Sequence, residues 1–389
     1  MTVKNNRIPL FCIVTSIYWF SLYAYVPILP TYAGSLGASY KMIGLIIGSY
    51  GFAQIVLRIP LGIFSDKLNR RKLFISLGII LSLISSLGLW YFTSTEAVLV
   101  FRTLSGAAAA SWVPFTVLFS TYYKSGEAPK AIGLINSFNS VGQMAAVFLG
   151  GITAQSFGPR STFLLGSIGA VVALALSAGI AEKKTVLREP VKTAELLTVA
   201  KDRYFLMICL LSIFSQFITF STVFAFTPIA AKNLGADSFQ LGLLTSLSIL
   251  PGIFASVLSG SFFVKRYGER KTIIWGFIII ALSCIVIPWI KDINLLYATQ
   301  FIGGFGRGIV FPVLMGLSIK NIHDSKRATA MGFFQATYSI GMFLGPVVTG
   351  VLNDMAGLDW GFRIIGMIAI TGAFIIARKP SRHESNGYI

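Results

Sequence analysis

The chain has 389 residues, 55% of them hydrophobic and only 12% charged, with a mean hydropathy of +0.76. A soluble domain carries about twice that charged fraction, so a water-soluble fold is excluded. The net charge of +18 comes with no basic groove of interleaved aromatics, which argues against nucleic acid as a partner.

The apolar residues arrive in blocks of roughly 18–25, long enough to cross a bilayer as helices that satisfy their own backbone. A membrane barrel needs short alternating segments instead. The expected class is an all-α polytopic membrane protein with twelve spans. Spans 1–6 are predicted near 8–30, 41–63, 73–92, 97–122, 131–154 and 161–181. The first block is too long for a signal-peptide core and no small-residue cleavage site follows it, so it reads as a retained helix. Spans 7–12 are predicted near 204–229, 239–263, 272–290, 295–319, 328–352 and 361–377. The domains are then 1–181, a polar linker over 182–203, and 204–389 with a short tail.

Of the 32 Lys and Arg, roughly 24 fall in segments on the side of both termini and about 5 on the other. The positive-inside rule places both termini and the linker in the cytoplasm of a cell membrane. Cys12, Cys209 and Cys284 sit far apart in apolar blocks, and His323 and His383 in polar segments. They form neither a metal-ligand spacing nor a disulfide framework, so no metal is expected.

The halves repeat at an offset of 198–199 residues. PTYAGSLGA (30–38) returns as PIAAKNLGA (228–236), and Pro114 and Gly106 return as Pro312 and Gly304. The charged loop GIFSDKLNRRKL (62–73) has a scrambled echo in SFFVKRYGERKT (261–272), where Lys265 takes the place of Asp66. A shared period with matching punctuation marks a duplicated six-helix unit. Two parallel halves joined by a linker form a transporter layout, and the major facilitator superfamily is built in this way.

Three segments carry the resemblance further. GIFSDKLNRRKL is similar to that family's loop 2–3 signature, with Asn69 where Gly is usual and Lys67 where Arg is usual. RTLSG (102–106) resembles the R-x-x-x-G signature of helix 4. GQMAAVFLGG (142–151) resembles the helix 5 antiporter signature, with Ala146 and Val147 in place of Gly-Pro, while span 11 keeps that pair in GMFLGPVVTG (341–350). The chain is identified as a member of the major facilitator superfamily, of the 12-helix efflux type, which implies alternating access and no enzymatic activity. No nucleophile–base pair, H-E-x-x-H or P-loop accompanies it.

Two groups of residues are candidates. For the gate, Asp66 lies at the C-terminal end of span 2, where an anion needs a positive partner. The start of span 11, near Arg327 and Ala328, is expected to supply it, with Gly62, Lys67, Arg70 and Arg71 around it. The resemblance implies the same latch. Gly142, Ala146 and Gly150, with Gly151 beside them, form a smooth face expected to slide on the other half; Gly341, Gly345 and Thr349 repeat the device in span 11, where Pro346 is expected to bend the helix.

For the substrate, charge at mid-bilayer costs about 2.5–3.5 kcal/mol and marks a cavity. Arg307, about twelve residues into span 10, is the leading candidate, with Arg102 second; Arg58 is near enough to a span end to snorkel. Tyr23, Asn139, Gln143, Gln216, Gln300 and Gln335 are expected to add hydrogen bonds and ring surface. All 14 acids fall in loops or at helix ends, so the cavity should favour an anionic or zwitterionic solute over a lipophilic cation. The expected function is proton-coupled export of a small metabolite, metallophore or antibiotic by a monomer in the lipid bilayer, with no cofactor beyond the proton gradient. Uptake of an anionic nutrient and a non-transporting sensor are the alternatives.

Overall fold

The computed structural model describes residues 7–123, 127–182, 202–320 and 327–378, excluding the side chains of 66, 128, 129 and 327–329. Most of the 182–203 linker, and the latch from Asp66 to the start of span 11, therefore lie outside the described residues.

Among the described residues every regular element is helical. Nine stretches are long and apolar enough to cross a membrane; one of them, Ser238–Trp289, holds two spans. Two shorter apolar helices, Arg7–Tyr23 and Ser161–Ser177, complete the expected twelve. Spans 2–5 are Tyr40–Leu68, Arg71–Tyr91, Thr95–Ala110 continued by Trp112–Ser120, and Ala128–Phe157. Span 7 is Arg203–Ser221 continued through a π-helical turn into Thr227–Asn233. Span 8 starts at Ser238 and span 9 ends at Ile285; spans 10–12 are Ile293–Lys320, Arg327–Ala356 and Leu358–Arg378.

Span 1 departs from the expected single helix over 8–30. It breaks after Tyr23 and resumes at Leu29–Ser35. Pro27 has no N–H to return to the carbonyl of Tyr23, and the chain crosses the gap in tighter turns, with Val26 N bonded to Tyr23 O and Ile28 N to Tyr25 O.

The repeat read from the sequence is present in the backbone. Among the described residues six have positive φ, and they form three pairs at the repeat offset: Gly37 with Gly235, Asn69 with Gly268, and Gly158 with Gly357. Each pair occupies the same inter-span turn of the two halves. Asn69, at φ 49°, explains the residue usual at that motif position: asparagine is among the few non-glycine types that enter the left-handed region readily. Close approaches repeat as well. A Cβ on Gly106 would stand 2.4 Å from the carbonyl oxygen of Tyr50, and one on Gly304 2.3 Å from that of Ser248.

The charged loops repeat a structural task. Lys72 Nζ donates to the carbonyl of Ala178 at the end of span 6, 2.7 Å away. One residue out of repeat register, the Arg270 guanidinium donates to the carbonyl of Ala377 at the end of span 12. Each third span is thus tied to the C-terminus of the sixth span of its own half, where cations oppose the helix dipole favourably. Glu182 completes the first clamp, accepting from the backbone N–H of Arg71 at 2.5 Å and of Lys72 at 3.1 Å.

Within each half, span 1 packs on 5 and 6 and span 3 on 4 and 6, while span 7 packs on 11 and span 9 on 10 and 12. The two most extensive contacts between the halves are span 2 on span 11 and span 5 on span 8, and smaller ones run from spans 1 and 2 to span 7.

Candidate functional site

The cross-half interface is built by backbones that approach closely because side chains are missing. On span 2, Gly44, Gly48 and Gly51 face span 11: a Cβ on Gly44 would stand 2.1 Å from the carbonyl oxygen of Pro346, and one on Gly48 2.6 Å from that of Phe343. Between spans 5 and 8, Gly151 and Gly242 meet, and a Cβ on either would reach the other's Cα within 2.8 Å. The smooth face expected to slide here lies elsewhere. Gly142 rests on the carbonyl of Ser16 and Gly150 on that of Ala24 in span 1, while Gly341 and Gly345 rest on the Ile213 and Phe217 carbonyls in span 7. These glycines knit each half internally. Of the expected set, Gly151 and Pro346 meet the other half.

Cross-half hydrogen bonds and ring pairs run from the end opposite the termini inward. Tyr40 pairs with Phe226, Tyr23 with Phe224 and Tyr50 with Phe220, at 6.2, 5.8 and 6.1 Å between ring centroids. They continue as far as Arg58. Nearer the termini, Cβ atoms on Gly133, Gly260, Gly316 and Gly332 would meet nothing within 4 Å. The halves are closed at the end away from the termini.

At the inner limit of that closure sits a cluster of guanidinium and tyrosine. Tyr50, Gln54 and Arg58 follow at intervals of four on span 2 and share a face. Arg58 is 5% exposed. It donates to the backbone carbonyl of Gln335 at 3.1 Å and to the Tyr338 hydroxyl at 2.8 Å, both on span 11, and to Gln54 Oε1. Its position near a span end does not lead it to snorkel, because span 11 covers it. Two turns along span 2, at Tyr50, Arg102 of span 4 is 1% exposed and lies 4.3 Å over the Tyr50 ring and 5.9 Å from that of Tyr25. The R-x-x-x-G spacing explains this: Gly106, one turn on, seats span 4 on the Tyr50 backbone and so delivers Arg102 to the ring. Arg102 also donates to Ser105 Oγ at 3.3 Å. Tyr23, from span 1, stands among the same groups, near Tyr50, Arg102, Tyr338 and Arg58.

Among the described residues neither guanidinium meets a carboxylate, and the Nε of each is buried without a partner. Two buried cations without a counter-ion among the described residues are costly in a low-dielectric site.

Arg307 is not part of this cluster. It lies against span 9, beside Ser283 and Cys284, with Nη2 buried and unpartnered. Gln300, in repeat register with Arg102, is 3% exposed with an unpartnered Oε1. Gln143 Nε2 donates to Asn139 Oδ1 along span 5, and Gln216 is half-buried on span 7. Gln335 enters the cluster through its carbonyl. Gly62 makes an ordinary contact with Val113, Lys67 and Arg70 are exposed, and Arg71 is buried at the start of span 3. Sequence reasoning missed Gln54, Tyr50 and Tyr338. Their signal was the four-residue spacing of polar groups leading to Arg58.

The Major Facilitator Superfamily model matches residues 11–230 and 208–387. An uncharacterised MFS-type transporter of Methanocaldococcus jannaschii is 27% identical, over 90% of this chain and 92% of its own length. The bacillibactin exporter of Bacillus subtilis is 24% identical over 93% and 94%, and the quinolone resistance protein NorA of Staphylococcus aureus 22% over 85% of each. Among solved structures, a variant of the nucleoside transporter NupG superposes with a TM-score of 0.80 at 16% identity, over 95% of this chain and 99% of that one. A D-xylose–proton symporter gives 0.75 at 15%, over 95% and 96%. With twelve spans in two repeated halves and the family match extending over both, the chain belongs to the Major Facilitator Superfamily and is a multi-pass membrane transporter, not an enzyme.

Proposed function

We propose that the chain exports a small organic anion or zwitterion by alternating access, driven by the proton gradient, with metal-chelating metabolites and antibiotics as the leading solute classes. The carrying observation is the Arg58–Arg102 pair, buried among tyrosines without a carboxylate among the described residues. A transported anion supplies the missing charge, whereas a lipophilic cation is repelled. The rings of Tyr23, Tyr50, Tyr338, Phe220 and Phe224 suit a solute with a flat apolar body. The bacillibactin exporter and NorA among the relatives support export. The second reading, uptake of an anionic nutrient, is favoured by the loss of Gly-Pro from span 5. The distribution of Lys and Arg supports a cell-membrane protein with both termini and the linker in the cytoplasm. In that orientation the closed end is external, which supports loading of solute from the cytoplasm.

The test is comparative metabolomics of cells and medium with the gene deleted, overexpressed, or carrying Arg58→Gln or Arg102→Gln. Export requires one anionic solute to rise inside cells on deletion and to fall on overexpression; accumulation on overexpression overturns it. Each variant should reach the membrane at normal abundance and lose transport by about 10- to 100-fold, the worth of a charge-assisted hydrogen bond. Wild-type rates in both would remove the anion site.

A further inference from the structure

The contact that closes the external end of spans 2 and 11 is electrostatic, and its repeat-related counterpart is not. Asp354, at the end of span 11, reaches across the halves to the start of span 2. Its Oδ1 accepts from the backbone N–H of Tyr40 at 3.0 Å and its Oδ2 from that of Lys41 at 2.9 Å. A carboxylate on the first N–H groups of a helix meets the positive end of the helix dipole. The fit depends on Gly350 one turn earlier, where a Cβ would stand 2.4 Å from the Tyr40 carbonyl oxygen.

At the repeat-related contact, Gln155 at the end of span 5 reaches the start of span 8. Its Oε1 accepts from the N–H of Ser238 at 3.2 Å. Gln155 and Asp354 are related by the repeat offset, so one architectural position holds an amide in one half and an acid in the other. The helices they cap differ in the complementary sense. Span 8 carries its own acidic cap: Asp237 accepts from Gln240 N at 2.8 Å, and Gln240 Oε1 returns to Asp237 N at 2.9 Å. Span 2 has only the neutral Ser39, whose Oγ accepts from Met42 N at 3.3 Å. Each helix start therefore has one acid. At span 8 it belongs to the helix itself and stays whatever the halves do. At span 2 it comes from the other half and is lost when the halves part.

We propose that Asp354 is the external lock of the transport cycle, a cross-half carboxylate that supplies the helix-start charge span 2 lacks, while Gln155 makes an uncharged contact that follows it. Lys41 and Lys232 are the charged neighbours. Lys232, at the end of span 7, lines with Asp354 an external cavity of about 500 Å³, and its Nζ lies 3.4 Å from the Ala236 carbonyl. Asp354 is exposed, so the lock works at a wet surface where its charge is worth a modest factor. The lock uses the same helix pair as the latch expected at Asp66, at the opposite end, and it rests on alternating access and on the proposed orientation, independent of the solute.

The test uses the full chain in lipid nanodiscs with spin labels at Ser35→Cys and Asn233→Cys, on opposite halves around the external cavity, and measures the inter-label distance distribution without solute. Asp354→Asn should lower the closed-to-open ratio by about three- to tenfold. Ser39→Asp, which gives span 2 its own acid and sets it against Asp354, should also lower the ratio. In the Ser39→Asp background, Asp354→Asn should leave the ratio unchanged or raise it, a reversal that a packing role for Asp354 does not produce. An unchanged distribution in Asp354→Asn, or the same fall in both backgrounds, overturns the proposal. Should Asp354→Asn fail to assemble, Ser39→Asp decides alone, and an unchanged ratio there overturns it.

Discussion

Arg307 lies against span 9 of its own half, beside Ser283 and Cys284, while Arg58 reaches across the halves to Gln335 and Tyr338. Arg307→Met should therefore leave the solute KM within about twofold of wild type, measured in proteoliposomes, whereas a large rise in KM would return it to the solute path. Depth in the bilayer can be counted along a span, and by depth Arg307 ranks first among the candidates. Direction around the helix decides function, and a linear sequence does not state which neighbour a helix face will meet. Arg102 was legible because R-x-x-x-G couples a charge to the glycine that seats it. Tyr50, Gln54 and Tyr338 were not, since each is unremarkable alone and becomes a site only where spans 2, 4 and 11 meet.

At the scale of elements, the two charged loops are clamps before they are gates. Lys72 and Arg270 each hold the end of their half's sixth span, and Glu182 caps the start of span 3. That explains why basic residues recur in the echo: the clamp is needed once per half. Lys72→Met and Glu182→Gln should each lower the thermal stability of the detergent-solubilised protein by a few degrees at unchanged solute KM. The contacts are partly exposed, so larger losses are not expected. A loss of transport without loss of stability would favour a gating role for this loop. The twelve spans, their order and the repeat could be read from hydropathy and period. The partner of each small-residue face could not, because a glycine stripe specifies close approach without saying to which helix. The break in span 1 was written in Pro27 and was hidden by the continuous apolar run around it.

For the whole molecule, the repeat gives two halves whose most extensive interfaces, span 2 on span 11 and span 5 on span 8, contain backbones too close to admit even one methyl group. Contacts of that kind exist fully or not at all, because a packed interface does not deform continuously. Closure at one end and opening at the other should thus be two discrete arrangements, and tying the halves at the closed end should stop the cycle. Phe148 on span 5 and Phe239 on span 8 face each other there, with ring centroids 6.2 Å apart and both partly exposed. The native thiols Cys12, Cys209 and Cys284 are all buried and leave an introduced pair free to react alone. A short thiol–thiol cross-linker applied to Phe148→Cys/Phe239→Cys should abolish transport in proportion to the fraction cross-linked, and reductive cleavage should restore it. Each single cysteine treated in the same way should transport as before. Full transport by the fully cross-linked protein would mean that the halves do not separate along spans 5 and 8, and the rocking of two rigid bodies would have to be replaced by motion within one half.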